Sequence, residues 1–262
     1  MPLRFRRPAL LMLLWFLAFS VPALASLISQ DQEIQIGREG SRQLEQRYRV
    51  VADLPVQERI TRIGQALARQ GSRGIPYQFK VIDVRDLNAL AFPGGFIYAT
   101  RGLMEAMPDG QLAFVLGHEV AHVEKRHSVQ QMEAQIYTQV GVGALISILG
   151  GGKNNRGTIN TVQVANAIVS SRYSQEAERE ADREGMRLMG LAGFDPQGAV
   201  AALETLKSHD GGREVPGFLN SLLGSHPLTS ERIQVARELA PQIPFNPSQA
   251  PSRPAPWFTP VP

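Results

Sequence analysis

The segment from His118 to His122, with the sequence H-E-V-A-H, constrains the fold of this chain more than any other feature. Successive residues of an α-helix are rotated by about 100°, so His118 and His122 lie one turn apart on one face of a helix. Two imidazoles in this arrangement can bind a single metal ion, and Glu119 between them can reach a water molecule beside that ion. Because apolar residues such as Leu112 and Leu116 precede the motif, we predict a buried helix that carries a metal site.

The predicted site needs a third metal ligand, because catalytic zinc is usually held by three protein ligands and one water molecule. The sequence contains no cysteine, so this ligand must be a carboxylate or a histidine. Glu178 and Asp182 lie in an acidic segment and share a helix face, because they are also four residues apart. Glu178 can bind the metal, while Asp182 can accept the N–H of a ligand histidine. The other interpretation of this segment is a solvated charged helix.

The two motifs together, H-E-x-x-H followed by E-x-x-x-D, resemble those of the HtpX, CAAX prenyl protease and BepA-type family of zinc peptidases. Residues 88–98 are similar to the family's N-A-F-A-x-P-G-G region, and residues 225–232 are similar to its S-H-P-x-x-x-x-R segment. The resemblance covers most of residues 30–240. It is closest to the soluble, exported BepA-like branch, although the chain ends before a helical-repeat domain like that of BepA.

This resemblance implies an α+β, mainly helical, zincin-like (gluzincin) domain in which a small sheet or hairpin packs on the active-site helices. It implies one Zn²⁺ per chain, held by His118, His122 and Glu178, with Glu119 as the catalytic base and Asp182 beside the ligands. The implied activity is that of a zinc-dependent endopeptidase. Its implied substrates are unfolded or misassembled cell-envelope proteins, outer-membrane proteins among them.

His226 has two interpretations. It precedes Pro227 in front of a predicted helix, and this position alone favours a surface or helix-start histidine. The resemblance favours an active-site histidine, which either stabilises the oxyanion or caps the zinc in a closed state. We therefore predict a catalytic role for His226, with Arg232 as a buried partner for a carboxylate.

Hydrophobic periodicity indicates helices and a small sheet. The predicted helices cover residues 29–48, 56–70, 109–127, 159–189, 195–208 and 230–239, and residues 77–83 alternate like a strand. Asp109 is the predicted N-cap of the helix that carries H-E-x-x-H. His127 lies nine residues after His118, about 180° around that helix, and is predicted to be structural. A glycine-rich loop at residues 150–155 is a candidate lid.

Residues 88–100 predict a β-hairpin around a Pro-Gly-Gly turn. Peptidases of this type often bind the substrate as an added strand at a sheet edge. Asn88, Gly94 and Gly95 are therefore predicted to contact the substrate. The alternative is that the two glycines only form a tight turn.

The first 25 residues have the pattern of a cleavable signal peptide. An arginine-rich start and an apolar segment precede an A-L-A site, which predicts cleavage after Ala25 and export to the periplasm. An uncleaved anchor is the alternative. The peptidase domain is then predicted at residues 26–245, without a transmembrane helix. The last 22 residues hold eight of the 18 prolines, so residues 246–262 are predicted to be a disordered tail.

Charge excludes one class of partner. The formal net charge is +3, and three positive charges lie in the predicted signal peptide, so the mature chain is nearly neutral. A nucleic-acid partner, which requires a basic patch, is therefore not predicted. Two other functions stay open: a zinc-containing periplasmic chaperone (holdase) for outer-membrane proteins, and a noncatalytic scaffold whose proline-rich tail binds a partner. Glu119 argues against a holdase, because a binding protein needs no general base.

Overall fold

The computed structural model of the chain describes residues 26–139, 173–209, 226–227 and 229–252. The predicted signal peptide at residues 1–25 and the candidate lid at residues 150–155 lie outside these ranges. The helix predicted at residues 159–189 is described only from residue 173 onward.

The described residues are mainly helical. The helices are α1 (Gln30–Arg47), α2 (Leu54–Ala68), α3 (Arg101–Ala106), α4 (Asp109–Glu124), α5 (His127–Gln139), α6 (Gln175–Leu191), α7 (Gln197–His209) and α8 (Ser230–Leu239), and two short 3₁₀ helices follow at Ala240–Gln242 and Pro247–Gln249. The predicted helices in the described ranges are confirmed to within a few residues at most ends. Several begin at side-chain caps, which Ser29, Asp53, Ser174 and Thr229 provide.

A three-stranded sheet packs on the helices. Its strands are β1 (Gln78–Ile82), β2 (Ala89–Phe92) and β3 (Phe96–Thr100), in the order β1-β3-β2. The central strand β3 is parallel to β1 and antiparallel to β2. The pairing of Phe92 with Phe96 confirms the predicted hairpin. The α+β, mainly helical, zincin-like fold class is also confirmed.

Helix α4 passes through the centre of the hydrophobic core. Every residue from Leu112 to Val123 is buried, including both histidines of the motif. The helix packs against α2, α6, α7 and β2. A helix that is buried on all sides has no solvent-exposed polar face, so its polar side chains must be satisfied within the protein.

Two glycines allow α4 and α6 to approach each other closely. A Cβ atom on Gly185 of α6 would lie 2.8 Å from the backbone nitrogen of His118, and one on Gly117 would lie 3.0 Å from the carbonyl oxygen of Gly185. Because these neighbouring atoms belong to the backbone, they cannot move aside as a flexible side chain can. The crossing therefore sets the distance between the two helices that carry the motifs.

We expect Gly185→Ala to lower the free energy of unfolding by about 1–3 kcal/mol, because overpacking a core forces the backbone to shift. Urea denaturation of the wild type and the variant measures this difference. The matched control is Gly110→Ala at the start of α4, where an added Cβ meets no atom within 4 Å. The control should gain up to about 1 kcal/mol in helix propensity. Equal stability of Gly185→Ala and the wild type would contradict the close approach.

The start of α4 differs from the prediction. Asp109 is the first residue of the helix rather than its cap, and Pro108 takes the N-cap position without a side-chain hydrogen bond. The carboxylate of Asp109 accepts hydrogen bonds from Arg59 Nε at 2.8 Å and Arg62 Nη2 at 2.7 Å. Two cations on α2 therefore engage the side chain that would otherwise cap the helix.

The end of α4 also differs from the prediction, because the helix stops at Glu124 and not at His127. Arg126 has φ 56°, in the left-handed region that a helix cannot contain. Its guanidinium donates to Glu33 Oε2 at 2.9 Å and to the carbonyl oxygen of Ile28 at 2.5 Å. These distant contacts stabilise the turn, and His127 begins a separate helix, α5. The predicted position of His127 on the opposite face of α4 is therefore wrong.

The predicted disordered tail differs from the structure at its beginning. Residues 246–252 include a 3₁₀ helix, and the carbonyl oxygen of Pro251 accepts a hydrogen bond from Arg62 at 3.2 Å. A Cβ atom on Gly193 would lie 2.2 Å from the backbone nitrogen of Ala250, so this segment packs closely on the domain. Residues 253–262 lie outside the described residues.

Membrane-spanning capacity can be judged from helix length and composition. None of the helices in the described ranges combines the length and the apolar character that crossing a membrane requires.

Candidate metal centre

Helices α4 and α6 bring His118, His122 and Glu178 together in the protein interior. The Nε2 atoms of His118 and His122 are 3.0 Å apart. Glu178 Oε2 lies 3.5 Å from Nε2 of His118, and Glu178 Oε1 lies 3.5 Å from Nε2 of His122. Atoms bound tetrahedrally to one zinc ion at about 2.0–2.1 Å are themselves about 3.3 Å apart. The three side chains therefore present donor atoms at spacings suited to one shared ion.

The outer nitrogens of the two imidazoles indicate which inner nitrogens carry lone pairs. Nδ1 of His118 lies 2.9 Å from Asp182 Oδ1, and Nδ1 of His122 lies 2.8 Å from Nδ1 of His127. If each ring is neutral and donates its Nδ1–H outward, both Nε2 atoms present lone pairs to each other. Two lone pairs at this distance repel unless a cation lies between them. The donor set therefore fits a metal ion.

Helix α6 delivers its carboxylate from its first turn. Ser174 caps the helix by accepting a hydrogen bond from the backbone nitrogen of Ala177. Glu178 lies in that first turn, where the helix dipole favours negative charge. Burial opposes ionisation, but His226, His118 and His122 outweigh it and hold the pKa of Glu178 far below its usual range.

Asp182 and Arg232 form a buried ion pair beside Glu178. Nε and Nη2 of Arg232 donate to the two carboxylate oxygens of Asp182, both at 2.7 Å, and Nη1 lies 2.8 Å from Glu178 Oε2. Burial would raise the pKa of Asp182, but Arg232 and His118 lower it to about 2. The carboxylate is thus ionised and able to accept the Nδ1–H of His118. Arg232 lies where a buried partner for a carboxylate was predicted.

The two imidazoles of the motif differ in their electrostatic surroundings. Burial disfavours a charged His118, but hydrogen bonds with Asp182 and Glu178 outweigh burial and raise its pKa to about 9. Burial dominates for His122 and lowers its pKa well below the usual value. A proton on Nε2 of His118 can thus be donated to Nε2 of His122, and a metal ion that binds both nitrogens replaces that proton.

The carboxylate of Glu119 is only partly satisfied by hydrogen bonds with the described residues. Its side chain is buried, and Oε1 forms no hydrogen bond with any described residue. Burial raises the pKa of this carboxyl group. An unpaired buried carboxylate oxygen is costly, and a water molecule that donates a proton to it would remove that cost. The predicted catalytic base is therefore free to accept such a proton.

His226 lies inside the cluster rather than on the surface. Its Nδ1 is 2.8 Å from Glu178 Oε1 and 3.2 Å from His118 Nε2, and its Nε2 is 3.6 Å from Glu119 Oε1. His118, His122, Glu178 and His226 each offer a ligand atom, and these atoms all lie within 4.8 Å of one another. The surface interpretation of His226 is therefore wrong.

Three further residues adjoin the cluster and were not predicted. His127 contacts His122, and the ring of Tyr173 stacks on His122 with ring centroids 4.0 Å apart. The Tyr173 hydroxyl lies 2.7 Å from Ser128 Oγ. No motif in the sequence marks Tyr173 or Ser128. The sequence shows that His127 follows His122 by five residues. Whether the two side chains can meet, however, depends on where α4 ends.

The predicted substrate-binding residues lie in and beside the hairpin. Gly94 and Gly95 have φ angles of 74° and 94°, which explains the need for glycine in this turn. A Cβ atom on Gly94 would lie 2.6 Å from Cα of Ile34, and one on Gly95 would lie 2.8 Å from the carbonyl oxygen of Pro76. The protein's own backbone thus occupies the space proposed for a peptide. Asn88 is buried where β2 begins.

Comparison with known proteins gives consistent matches. The model of Peptidase family M48 matches residues 55–240. The chain is 34% identical to the metalloprotease YcaL of Escherichia coli (strain K12) over 181 residues, which are 69% of this chain and 68% of YcaL. It is 30% identical to the metalloprotease LoiP of the same organism over 181 residues, which are 69% of each chain.

A longer relative aligns with a larger share of this chain, but the alignment covers a smaller share of that relative. The chain is 32% identical to the beta-barrel assembly-enhancing protease of Escherichia coli (strain K12) over 229 residues. The match covers 83% of this chain but only 46% of that protein. The chain therefore spans less than half of this relative.

Proposed function

This chain belongs to Peptidase family M48 and is a metallopeptidase, and from that membership we propose that its metal ion is zinc and that its substrates are unfolded or misassembled proteins of the cell envelope. The observation that carries the proposal is the convergence of His118, His122 and Glu178 beside Glu119, whose Oε1 has no hydrogen-bond partner among the described residues. We propose these three residues as the metal ligands and Glu119 as the general base.

The choice of zinc follows from the donor set. Two imidazoles and one carboxylate are typical of catalytic zinc sites, whereas calcium and magnesium prefer oxygen ligands alone. Burial of all three donors excludes competing bulk water. Asp182 completes the arrangement by accepting the N–H of His118, which fixes the tautomer of that ligand.

Catalysis then depends on proton transfer by Glu119. When bound, zinc acts as a Lewis acid that polarises the scissile carbonyl and lowers the pKa of water towards about 7. Glu119 accepts a proton from the attacking water and delivers it to the leaving amine. The buried surroundings of Glu119 raise its pKa, which makes its carboxylate a stronger base towards the attacking water. Glu119 is thus suited to the base step.

We propose that His226 caps the centre in a resting state. It lies between the ligands and the base, close to the space where a scissile carbonyl must bind. Of its two predicted roles, the short distances to His118 and Glu178 favour the cap over the oxyanion donor. Substrate binding then requires His226 to move away.

We expect His226→Ala to raise the rate of hydrolysis of a denatured protein several-fold, because it removes the competing group. Steady-state proteolysis assays measure this change. His209→Ala, which alters an exposed histidine of α7, is the matched control and should leave the rate unchanged. A lower rate for His226→Ala would instead support the role in oxyanion stabilisation.

The proposed substrates follow from the relatives and from the start of the chain. Relatives named beta-barrel assembly-enhancing proteases suggest outer-membrane proteins as substrates. Residues 1–25 have the pattern of a signal peptide, which supports a periplasmic location. Among the described strands, β2 pairs only with β3. We propose that an extended substrate binds as an added strand at the outer edge of β2, which begins directly after Asn88.

One experiment tests the function and its main alternative. Purified protein is analysed for metal and incubated with an outer-membrane β-barrel protein, either urea-denatured or folded. We expect about one zinc per chain and cleavage of the denatured form, which a chelator stops and added zinc restores. Prevention of aggregation without cleavage would instead support the holdase. The scaffold alternative requires residues 246–262 to bind the partner. A pull-down that is unchanged when these residues are removed would therefore exclude it.

A further inference from the structure

We propose that His127 is a positioning residue of the metal centre, which holds the imidazole of His122 in the tautomer and orientation that metal binding requires. This inference rests on the proposed metal site and extends it beyond the predicted ligands. His127 does not belong to the group of converging ligand atoms. It acts on the metal only through His122.

The contact between the two histidines is direct and buried. Nδ1 of His127 lies 2.8 Å from Nδ1 of His122, and the ring centroids are 4.9 Å apart at an interplanar angle of 73°. The exposed fractions of the residues are 4% for His127 and 1% for His122. Water therefore cannot easily replace His127 as the partner of this nitrogen.

The chemistry of imidazole assigns the protons in this contact. Nε2 of His122 faces His118 and Glu178, so it is the nitrogen that presents its lone pair to the metal. A neutral imidazole that binds through Nε2 carries its proton on Nδ1. Nδ1 of His127 must then accept that proton's hydrogen bond, and His127 carries its own proton on Nε2.

Glu180 completes the chain of contacts. Its Oε2 lies 3.4 Å from Nε2 of His127, in the direction of the proton assigned there. Lys125 Nζ holds the other carboxylate oxygen of Glu180 at 2.9 Å. Glu180 lies outside the group of converging ligand atoms, yet it favours the His127 tautomer that can accept from His122. The contact is long and the side chain is 47% exposed, so its effect should be small.

The two ligand histidines thus have different outer partners. His118 donates to Asp182, a carboxylate held by Arg232, whereas His122 donates to a neutral imidazole. Outer partners of this kind orient a ligand and restrict its tautomer. Without His127, the His122 ring would keep its place in the core but lose the acceptor that favours the metal-binding tautomer.

The turn at Arg126 is what places His127 beside His122. Had α4 continued, residues 122 and 127 would be rotated by about 140° from each other and could not meet. The left-handed Arg126 breaks the helix, and Glu33 holds its side chain. Glu33 also accepts from both terminal nitrogens of Arg73, at 2.7 and 2.8 Å.

The test measures zinc affinity by competition with a chromophoric chelator, on the purified full chain. His127→Leu replaces the acceptor with an apolar side chain of similar size. This variant should weaken zinc binding about 10–100-fold. His127→Asn places an amide oxygen near the position of Nδ1 and should restore most of the affinity. This rescue separates an acceptor from a residue that only fills space.

The control is Val129→Ala, which loosens the same helix at a buried position where Val129 packs in a cluster with Ile28, Ile36 and Met132. It should bind zinc nearly as tightly as the wild type, and circular dichroism should show that all variants are folded. The inference is overturned if His127→Leu keeps the wild-type affinity, if His127→Asn is as weak as His127→Leu, or if Val129→Ala is equally weak. A wild type that binds no zinc would overturn the proposed function itself.

Discussion

Replacing Glu119 with glutamine is expected to slow proteolysis by about 10²–10⁴-fold, the usual contribution of a general base. Glutamine has nearly the same shape, but its amide cannot accept and return a proton at neutral pH. Oε1 of Glu119 has no hydrogen-bond partner among the described residues, so the substitution breaks no hydrogen bond of that oxygen with them. The variant should therefore fold and keep its metal.

Two measurements separate this loss from a loss of metal. Metal analysis of Glu119→Gln should match the wild type, while the rate on a denatured protein falls. Glu105→Gln makes the same chemical change at an exposed position of α3 and should cleave at the wild-type rate. A wild-type rate for Glu119→Gln would show that another group acts as the base.

Replacing Glu178 with alanine should weaken zinc binding by more than about 100-fold, because loss of an outer-shell partner alone typically costs 10–100-fold. Among the described residues, the converging group consists of Glu178 and three histidines: His118, His122 and His226. The substitution therefore removes the carboxylate from this group. Proteolysis should fall with metal occupancy and return only in part at high zinc concentration. Competition with a chelator measures the affinity.

The matched control is Glu176→Ala, the same change two residues earlier in the first turn of α6. Glu176 is exposed, and its substitution removes a similar favourable interaction with the helix dipole. It should bind zinc as the wild type does. If both variants bound zinc equally well, Glu178 would not be a ligand.

Periodicity and motif spacing could predict a large part of the site. The four-residue spacings of His118 with His122 and of Glu178 with Asp182 place each pair on one helix face, whatever the rest of the fold. The absence of cysteine restricted the ligands to histidines and carboxylates. These are properties of local geometry and of chemical type, so they can be read along the chain.

Contacts between distant segments could not be predicted in the same way. The approach of α4 and α6 depends on Gly117 and Gly185, which the sequence shows only as two glycines inside helices. Gly94 was likewise predicted to contact the substrate, but it packs closely on the backbone of Ile34 instead. Whether a glycine admits a ligand or a neighbouring helix depends on what lies next to it in space.

The sequence by itself determined the helix that carries H-E-x-x-H, the hairpin and the types of ligand, because side-chain periodicity and chemistry are local. Only the tertiary structure decided where α4 ends, since the Glu33 carboxylate that holds Arg126 in the left-handed conformation comes from α1. That turn changes His127 from a residue on the far side of a helix into the partner of His122. The two residues of this ion pair, Arg126 and Glu33, are 93 positions apart in the chain. An interaction over such a separation leaves no periodic signal in the sequence.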